Sequence, residues 1–185
     1  MVCRILLCLG INAGGNKSGL AEGGSKMVVT EYDVVCGDVG LILHDIGKYW
    51  IETDNAKQVF NSLSNIDKFC RESLWLHKRS EENVYVLMFN SALNLLGVSL
   101  VSRGIVNNAV VSPREVLYRA LLSGASAIIL VHNHPSGDIV PSKQDMSVTE
   151  RMLKACDLIG ITLLDHLIIG DSYYSFKQNN WVKAG

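Results

Sequence analysis

Residues 127–131 read Ala-Ile-Ile-Leu-Val, and this short apolar run restricts the fold more than any other feature of the sequence. A continuous apolar run of strand length is typical of a β-strand that is buried on both faces of its sheet. Such a strand needs other elements packed on both sides of it. Helix-like segments flank the run along the chain, at residues 112–124 and 142–160.

Both flanking segments carry helix start and stop signals. Ser112 stands at the N-cap position of the first helix, Pro113 at its first helical position, and Glu115 where its side chain can reach back to the cap. Ser142 opens the second helix in a similar way. A glycine follows each helix, which is a common C-terminal signal.

Strand-like segments make up much of the remaining C-terminal sequence. Residues 84–89 and a second run that ends at Val101 lie on either side of a turn, and residues 161–169 and 173–176 predict a hairpin. Strands mixed with two capped helices predict an α/β (α+β) fold, with a mixed β-sheet flanked by helices.

The N-terminal part of the chain has weaker signals. Residues 10–26 are rich in Gly, Asn, Ser and Lys, a composition that predicts a flexible linker. Residues 27–50 carry short β-like runs, and apolar residues at helical spacing predict a helix over about residues 55–70. We therefore divide the chain into a variable, partly flexible segment at 1–52, a helical lead-in at 53–79 and a principal domain at 80–183.

The charge balance gives no sign of a dedicated nucleic-acid-binding protein. The 185 residues include 17 Lys and Arg against 18 Asp and Glu, so the formal net charge is −1, whereas DNA binding usually needs a basic excess. Five scattered cysteines without a Cys-x-x-Cys pair favour a reducing compartment over a disulfide framework. The early apolar run at residues 5–11 is too short to span a bilayer, so we expect a cytoplasmic protein with no membrane association.

Two histidines and an aspartate form the most informative group of residues. His132 and His134 follow the buried strand, and on an extended backbone residues i and i+2 point to the same side. Asp145 lies on the first turn of the next predicted helix, which faces back toward the end of the strand. Two imidazoles and one carboxylate are a common zinc set, and three protein ligands leave a fourth position for water, whose pKa zinc lowers to about 7. The sequence therefore predicts a catalytic zinc site.

Each part of this group also has a simpler interpretation. Ser142 and Asp145 could serve only as helix caps, the residues after His134 could form only a turn, and the two histidines could be buried without a metal. The zinc hypothesis depends on all of these features occurring together within fourteen residues.

The spacing His-x-His, seven residues, Ser, two residues, Asp resembles the motif of the JAMM (MPN+) metalloproteases. The wider string HNHPSGD, with PRE upstream and LLDHLIIG downstream, resembles RadC proteins over roughly residues 80–182. The resemblance implies a twisted mixed sheet with flanking helices, related in outline to that of cytidine deaminases. The H-x-E and P-C-x-x-C motifs of the deaminases themselves are missing from the sequence.

The resemblance also implies catalytic residues. In the family, a glutamate before an earlier strand acts on the metal-bound water, and the register of residues 82–90 selects Glu82, with Glu81 as the alternative. Glu82 would take a proton from the water and return it to the leaving amine. Ser142 would hold the water or the developing oxyanion, a contribution that is about 2.7–4 kcal/mol for one such donor in a typical hydrolase.

The LLDHLIIG string contributes Asp165 and His166, which also match a pattern of the family. We expect His166 to be a core histidine, or one that supports a ligand, rather than a fourth ligand. A carboxylate or carbonyl group should fix the tautomer of each ligand histidine, but the sequence does not identify it.

Two functions from different classes remain open. The first is a zinc-dependent hydrolase that cuts a peptide or isopeptide-like amide bond in an unknown protein or peptide substrate. The second is an accessory protein of DNA repair or recombination that keeps a non-catalytic metal site. Residues 1–75 show no version of the helix-hairpin-helix module that RadC proteins use for DNA, so the resemblance is closest to short forms of the family.

Overall fold

A computed structural model describes residues 25–37, 40–53, 60–104 and 111–182. The described strands are β1 (Ser25–Gly37), β2 (Gly40–Thr53), β3 (Asn83–Phe89), β4 (Leu95–Arg103), β5 (Ala127–Asn133), β6 (Thr162–Ile169) and β7 (Tyr173–Ser175). The described helices are α1 (Leu63–Glu72), α2 (Pro113–Ser123) and α3 (Lys143–Ile159), together with a 3-10 turn at Leu76–Lys78.

All the described strands form one sheet in the order β2-β1-β4-β3-β5-β6-β7. The pairs β1–β4 and β5–β6 are parallel, and the other neighbouring pairs are antiparallel. The predicted α/β fold with a mixed sheet is therefore confirmed, as is the hairpin that β6 and β7 form. No described helix is both long enough and apolar enough to cross a bilayer.

Strand β5 lies inside the sheet and is buried along its whole length. Its side chains alternate between two hydrophobic cores, as the period of a strand requires. Ile128 and Leu130 belong to the core that α2 and α3 cover, whereas Ile129 and Val131 belong to the core that α1 covers. The apolar run at residues 127–131 thus has helices on both sides, as predicted.

Two details of the predicted helices are wrong. The helix predicted from residue 55 begins at Leu63, because the side chain of Ser62 accepts a hydrogen bond from the N–H of Asn65 and fixes the helix start there. Residues 54–59 lie outside the described part of the chain. Ser112 occupies the N-cap position of α2 but makes no capping bond with its side chain, and Glu115 instead accepts from the hydroxyl of Tyr118.

The N-terminal strands add a hairpin to one end of the sheet. β1 and β2 pair along their length, and Glu31 of β1 pairs with Val98 of β4. Most of the predicted linker, residues 10–24, lies outside the described residues. The division at 1–52, 53–79 and 80–183 stays a prediction.

Candidate metal centre

The end of β5 and the first turn of α3 bring three potential ligands together. The Nε2 atom of His132 lies 3.1 Å from Nε2 of His134 and 3.1 Å from Oδ1 of Asp145. Nε2 of His134 lies 3.5 Å from Oδ2 of the same carboxylate. Each of the three residues offers one donor atom, and these three atoms all lie within 4.8 Å of one another.

These separations fit a zinc ion. Donors that each lie 2.0–2.2 Å from a tetrahedral zinc are about 3.3–3.6 Å apart. The separations of 3.1, 3.1 and 3.5 Å lie within about 0.2 Å of that range, and the carboxylate of Asp145 faces the two histidines with different oxygens. The donor set of two imidazoles and one carboxylate is also one that zinc accepts, so the residues fit the metal that the sequence predicts.

Asp145 is both a helix cap and a member of this group. Its Oδ2 accepts hydrogen bonds from the N–H and the hydroxyl of Ser142, at 2.7 and 2.6 Å, and its own N–H donates to that hydroxyl at 3.1 Å. Burial opposes ionisation of the carboxyl group. Hydrogen bonds from His132 and His134, which form when their Nε2 atoms carry protons in place of a metal, outweigh that cost and hold the pKa of Asp145 well below its usual range.

A backbone carbonyl fixes the orientation of His134. Its Nδ1 lies 2.9 Å from the carbonyl oxygen of Asp138, which can only accept, so Nδ1 carries the proton of the neutral ring and Nε2 offers its lone pair to a metal. Without a metal, a second proton on Nε2 can instead be donated to Asp145. The hydrogen bond to Asp145 raises the pKa of His134 against the opposing effect of burial, and the carboxylate of Glu82 adds to the rise. The expected carbonyl partner is therefore present for this histidine.

The partner of His132 is different from the one we expected. Its Nδ1 lies 2.9 Å from Nε2 of His166, a histidine of β6 that is 1% exposed. Nδ1 of His166 lies 2.7 Å from the hydroxyl of Thr149, which is fully buried on α3. Burial holds the pKa of His166 well below its usual value. Thr149 could not be identified from the sequence, because only the packing of α3 on β6 brings it to the histidine.

Glu82 faces the same site as the three potential ligands. Val84 pairs with His132 in the β3–β5 ladder, so continuing the antiparallel register places Glu82 across from His134 on the same face. Glu81 is exposed, and its carboxylate lies beside Gly104 at the end of β4.

A cavity of about 230 Å³ opens over this site. Polar side chains line one part of it: Glu82, His132, His134, Ser142, Gln144, Asp145 and His166. Aliphatic side chains line the rest: Val84, Val111, Leu130 and Val148. The structure thus brings all five of the predicted site residues to one cavity and leaves Glu81 outside its lining.

Asn133 ties the segment that carries Glu82 to β5, a contact that the sequence did not indicate. Its side chain is fully buried, and its Oδ1 accepts from the N–H of Asn83 at 2.8 Å while its Nδ2 donates to the carbonyl of Glu81 at 3.1 Å. The N–H of Gly104 donates to the carbonyl of Glu82 from the other side, at 2.8 Å. The amide of Asn133 therefore continues the β3–β5 contact beyond the last backbone pair.

Comparisons with known proteins identify the family of the chain. The family model described as "RadC-like JAB domain" matches residues 60–181, more than half of the chain. A UPF0758 protein of Thermotoga maritima is 34% identical over 128 residues, which are 69% of this chain and 56% of that protein. A UPF0758 protein of Clostridium acetobutylicum is 46% identical over 104 residues, 56% of this chain and 45% of that protein. The chain spans about half the length of the curated relatives it matches, and it belongs to the RadC-like JAB domain family.

Proposed function

We propose that the protein is a zinc-dependent hydrolase of a peptide or isopeptide-like amide bond. The observation that carries this proposal is the cavity into which Glu82, His132, His134 and Asp145 all face. The carboxylate of Glu82 is not one of the three clustered donors. It lies opposite His134 on the same face, where it can move a proton beside the metal.

His132, His134 and Asp145 would hold the zinc ion. When bound, the metal supplies Lewis acidity, which polarises a carbonyl group and makes water more acidic. The capping contacts between Ser142 and Asp145 fix the carboxylate, so this ligand is oriented before a metal arrives. Preorganised ligands reduce the cost of ordering the site.

Glu82 would carry the proton through the reaction. It takes one proton from the attacking water as the new C–O bond forms, and it gives that proton to the amide nitrogen as the C–N bond breaks. The products are a carboxylic acid and an amine, so water is the only co-reactant. The position of Glu82 opposite His134 keeps this transfer within the cavity.

Ser142 has one hydroxyl proton, and the described geometry directs it to Oδ2 of Asp145 at 2.6 Å. In this position Ser142 orients a ligand. The expected role as a donor to the oxyanion requires the hydroxyl to turn from Asp145 toward the substrate, and it stays a proposal.

A pair of adjacent glutamates gives a matched test. Glu82→Gln removes the proton acceptor and retains the shape of the side chain, whereas Glu81→Gln makes the same change outside the cavity. We expect both variants to bind one zinc, and only Glu82→Gln to lose turnover on a library of peptides and isopeptide-linked peptides, by at least about 100-fold. Equal turnover in the two variants would remove Glu82 from the mechanism.

The same measurements address the second function. Absence of stoichiometric zinc after purification without chelators would contradict the hydrolase proposal. Zinc without turnover, together with DNA binding that weakens steeply with salt, would favour the accessory role in DNA recombination.

A further inference from the structure

We propose that His166 and Thr149 are positioning residues that lock His132 in the tautomer able to bind zinc, through a hydrogen-bonded relay that ends on the main chain of Asp145. The proposal rests on the zinc site of the proposed function. It concerns how the ligands are held, and it is independent of which bond the protein cuts.

The hydroxyl of Thr149 determines the direction of the hydrogen bonds in the relay. This hydroxyl donates to the backbone carbonyl of Asp145, four residues earlier on α3, at 2.7 Å. A carbonyl oxygen can only accept, so this bond uses the single hydroxyl proton. The 2.7 Å contact between Thr149 Oγ1 and Nδ1 of His166 is then a hydrogen bond only if Nδ1 carries a proton and donates.

The tautomer of His166 then fixes that of His132. A neutral imidazole protonated at Nδ1 has its lone pair on Nε2, so Nε2 of His166 is an acceptor. Its partner at 2.9 Å, Nδ1 of His132, must therefore be the donor. With its proton on Nδ1, His132 has a lone pair on Nε2, the atom that lies 3.1 Å from both His134 Nε2 and Asp145 Oδ1.

The fold holds His166 rigidly in this position. His166 pairs with Leu130 in the β5–β6 ladder, and its ring stacks on Phe176 with centroids 4.8 Å apart and planes 9° from parallel. The neighbouring carboxylate of Asp165 cannot act as the acceptor for the relay. It is occupied by the hydroxyl of Ser175 and by the N–H groups of His166 and Lys177.

The relay closes a loop between two potential ligands. It starts on the side chain of His132, passes through His166 and Thr149, and ends on the main chain of Asp145. A movement of β5 relative to α3 would break at least one of these bonds. The relay therefore sets both the protonation pattern of one ligand and its distance from another.

Two measurements test the relay without any substrate. Nitrogen-15 NMR of the imidazoles in the zinc-loaded protein should show His132 and His166 both protonated on Nδ1. Competition with a chromophoric chelator gives the zinc affinity of the parent and of three variants. His166→Phe keeps a ring against Phe176 and removes both nitrogens, His166→Gln restores an acceptor oxygen near the position of Nε2, and Thr149→Val removes the hydroxyl at constant shape.

We expect His166→Phe to weaken zinc binding by about 10–100-fold, the usual effect of removing a group that orients a ligand histidine. His166→Gln should recover most of this loss, and Thr149→Val should give a smaller loss. The control is Ser175→Ala, which removes a buried hydrogen bond to Asp165 outside the relay. It should lower thermal stability and leave the zinc affinity unchanged.

Three results would overturn the relay. They are an Nε2-protonated His132 or His166 in the NMR spectra, a parent-like zinc affinity in both His166→Phe and Thr149→Val, and a Gln variant that binds no better than the Phe variant. If His166→Phe does not fold, the Thr149→Val affinity and the NMR spectra of the parent decide the question. A protein that binds zinc through the relay and cleaves nothing would contradict the proposed hydrolase and leave the relay intact.

Discussion

Ser142 and Asp145 hold each other at the start of α3 by three hydrogen bonds, and two of these converge on Oδ2 of the aspartate. The other carboxylate oxygen faces His132 at 3.1 Å. The sequence left open whether these two residues cap a helix or belong to a metal site. In the structure the capping box is formed, and it is also what aims the carboxylate at the two histidines.

Ser142→Ala, at the start of α3, should lower the free energy of unfolding more than Ser112→Ala, the same change at the start of α2. The hydroxyl of Ser142 caps α3, and loss of such a cap costs about 1 kcal/mol. Ser112→Ala is the matched control, since Ser112 occupies the N-cap of α2 without a side-chain capping bond. Urea denaturation of the zinc-free variants should give the larger decrease for Ser142→Ala. Equal decreases would show that the capping box contributes nothing to α3.

The sequence predicted those features of the fold that depend on neighbouring residues. The buried strand at 127–131 and the glycines that end α2 and α3 are local signals, and both are in the structure where the sequence predicts them. The group of His132, His134 and Asp145 could also be predicted, because a strand end and the start of the following helix are close in the chain.

Contacts that depend on the packing of distant segments could not be predicted. His166 meets Thr149 only because α3 packs on β6, and Asn133 meets Asn83 only through the register of β3 on β5. Helix starts were harder to predict than helix ends. Ser62 and Ser112 both occupy N-cap positions, but of these two only the Ser62 side chain accepts a capping bond.

Removing zinc should lower the melting temperature, and the effect should require His134. A ligand present at 100 times its Kd stabilises the folded state by about 2.7 kcal/mol. For a chain of this size that is a rise in Tm of about 5–11 °C. Differential scanning calorimetry with zinc and with a chelator should show the difference in the parent and in His77→Ala, whose side chain is exposed and does not line the cavity. In His134→Ala the difference should fall to near zero, and a persistent zinc effect would place the metal elsewhere.

Asn133→Ala should release the segment that carries Glu82. The variant leaves the N–H of Asn83 without its acceptor in a buried position, which costs about 1–3 kcal/mol. Amide hydrogen exchange should be faster at Asn83, whereas exchange at Gly104, whose N–H donates to the carbonyl of Glu82 from β4, should change less. Asn179→Ala is the control, because Asn179 is exposed and its side chain donates a single hydrogen bond, to Ser175. Unchanged exchange at Asn83 would contradict the contact.

Gly170→Ala should change the orientation of His134, because Gly170 packs against the loop that follows His134. An added Cβ at Gly170 would collide with the backbone of Gly137, because it would lie only 2.8 Å from the carbonyl carbon of Gly137. The loop is held there by the N–H of Asp171, which donates to the carbonyl of Gly137 at 2.8 Å. Overpacking of this kind costs about 1–3 kcal/mol.

The displaced loop also carries the carbonyl of Asp138 that orients His134, so Gly170→Ala should weaken zinc binding as well as stability. Gly47→Ala is the control, because a Cβ there would make only ordinary contacts with Glu31. Urea denaturation and chelator competition on the two variants measure both effects. The contrary result is a loss of stability in Gly170→Ala with unchanged zinc affinity. The collision would then have moved the loop without moving His134, and the Asp138 carbonyl would not be needed to orient this ligand.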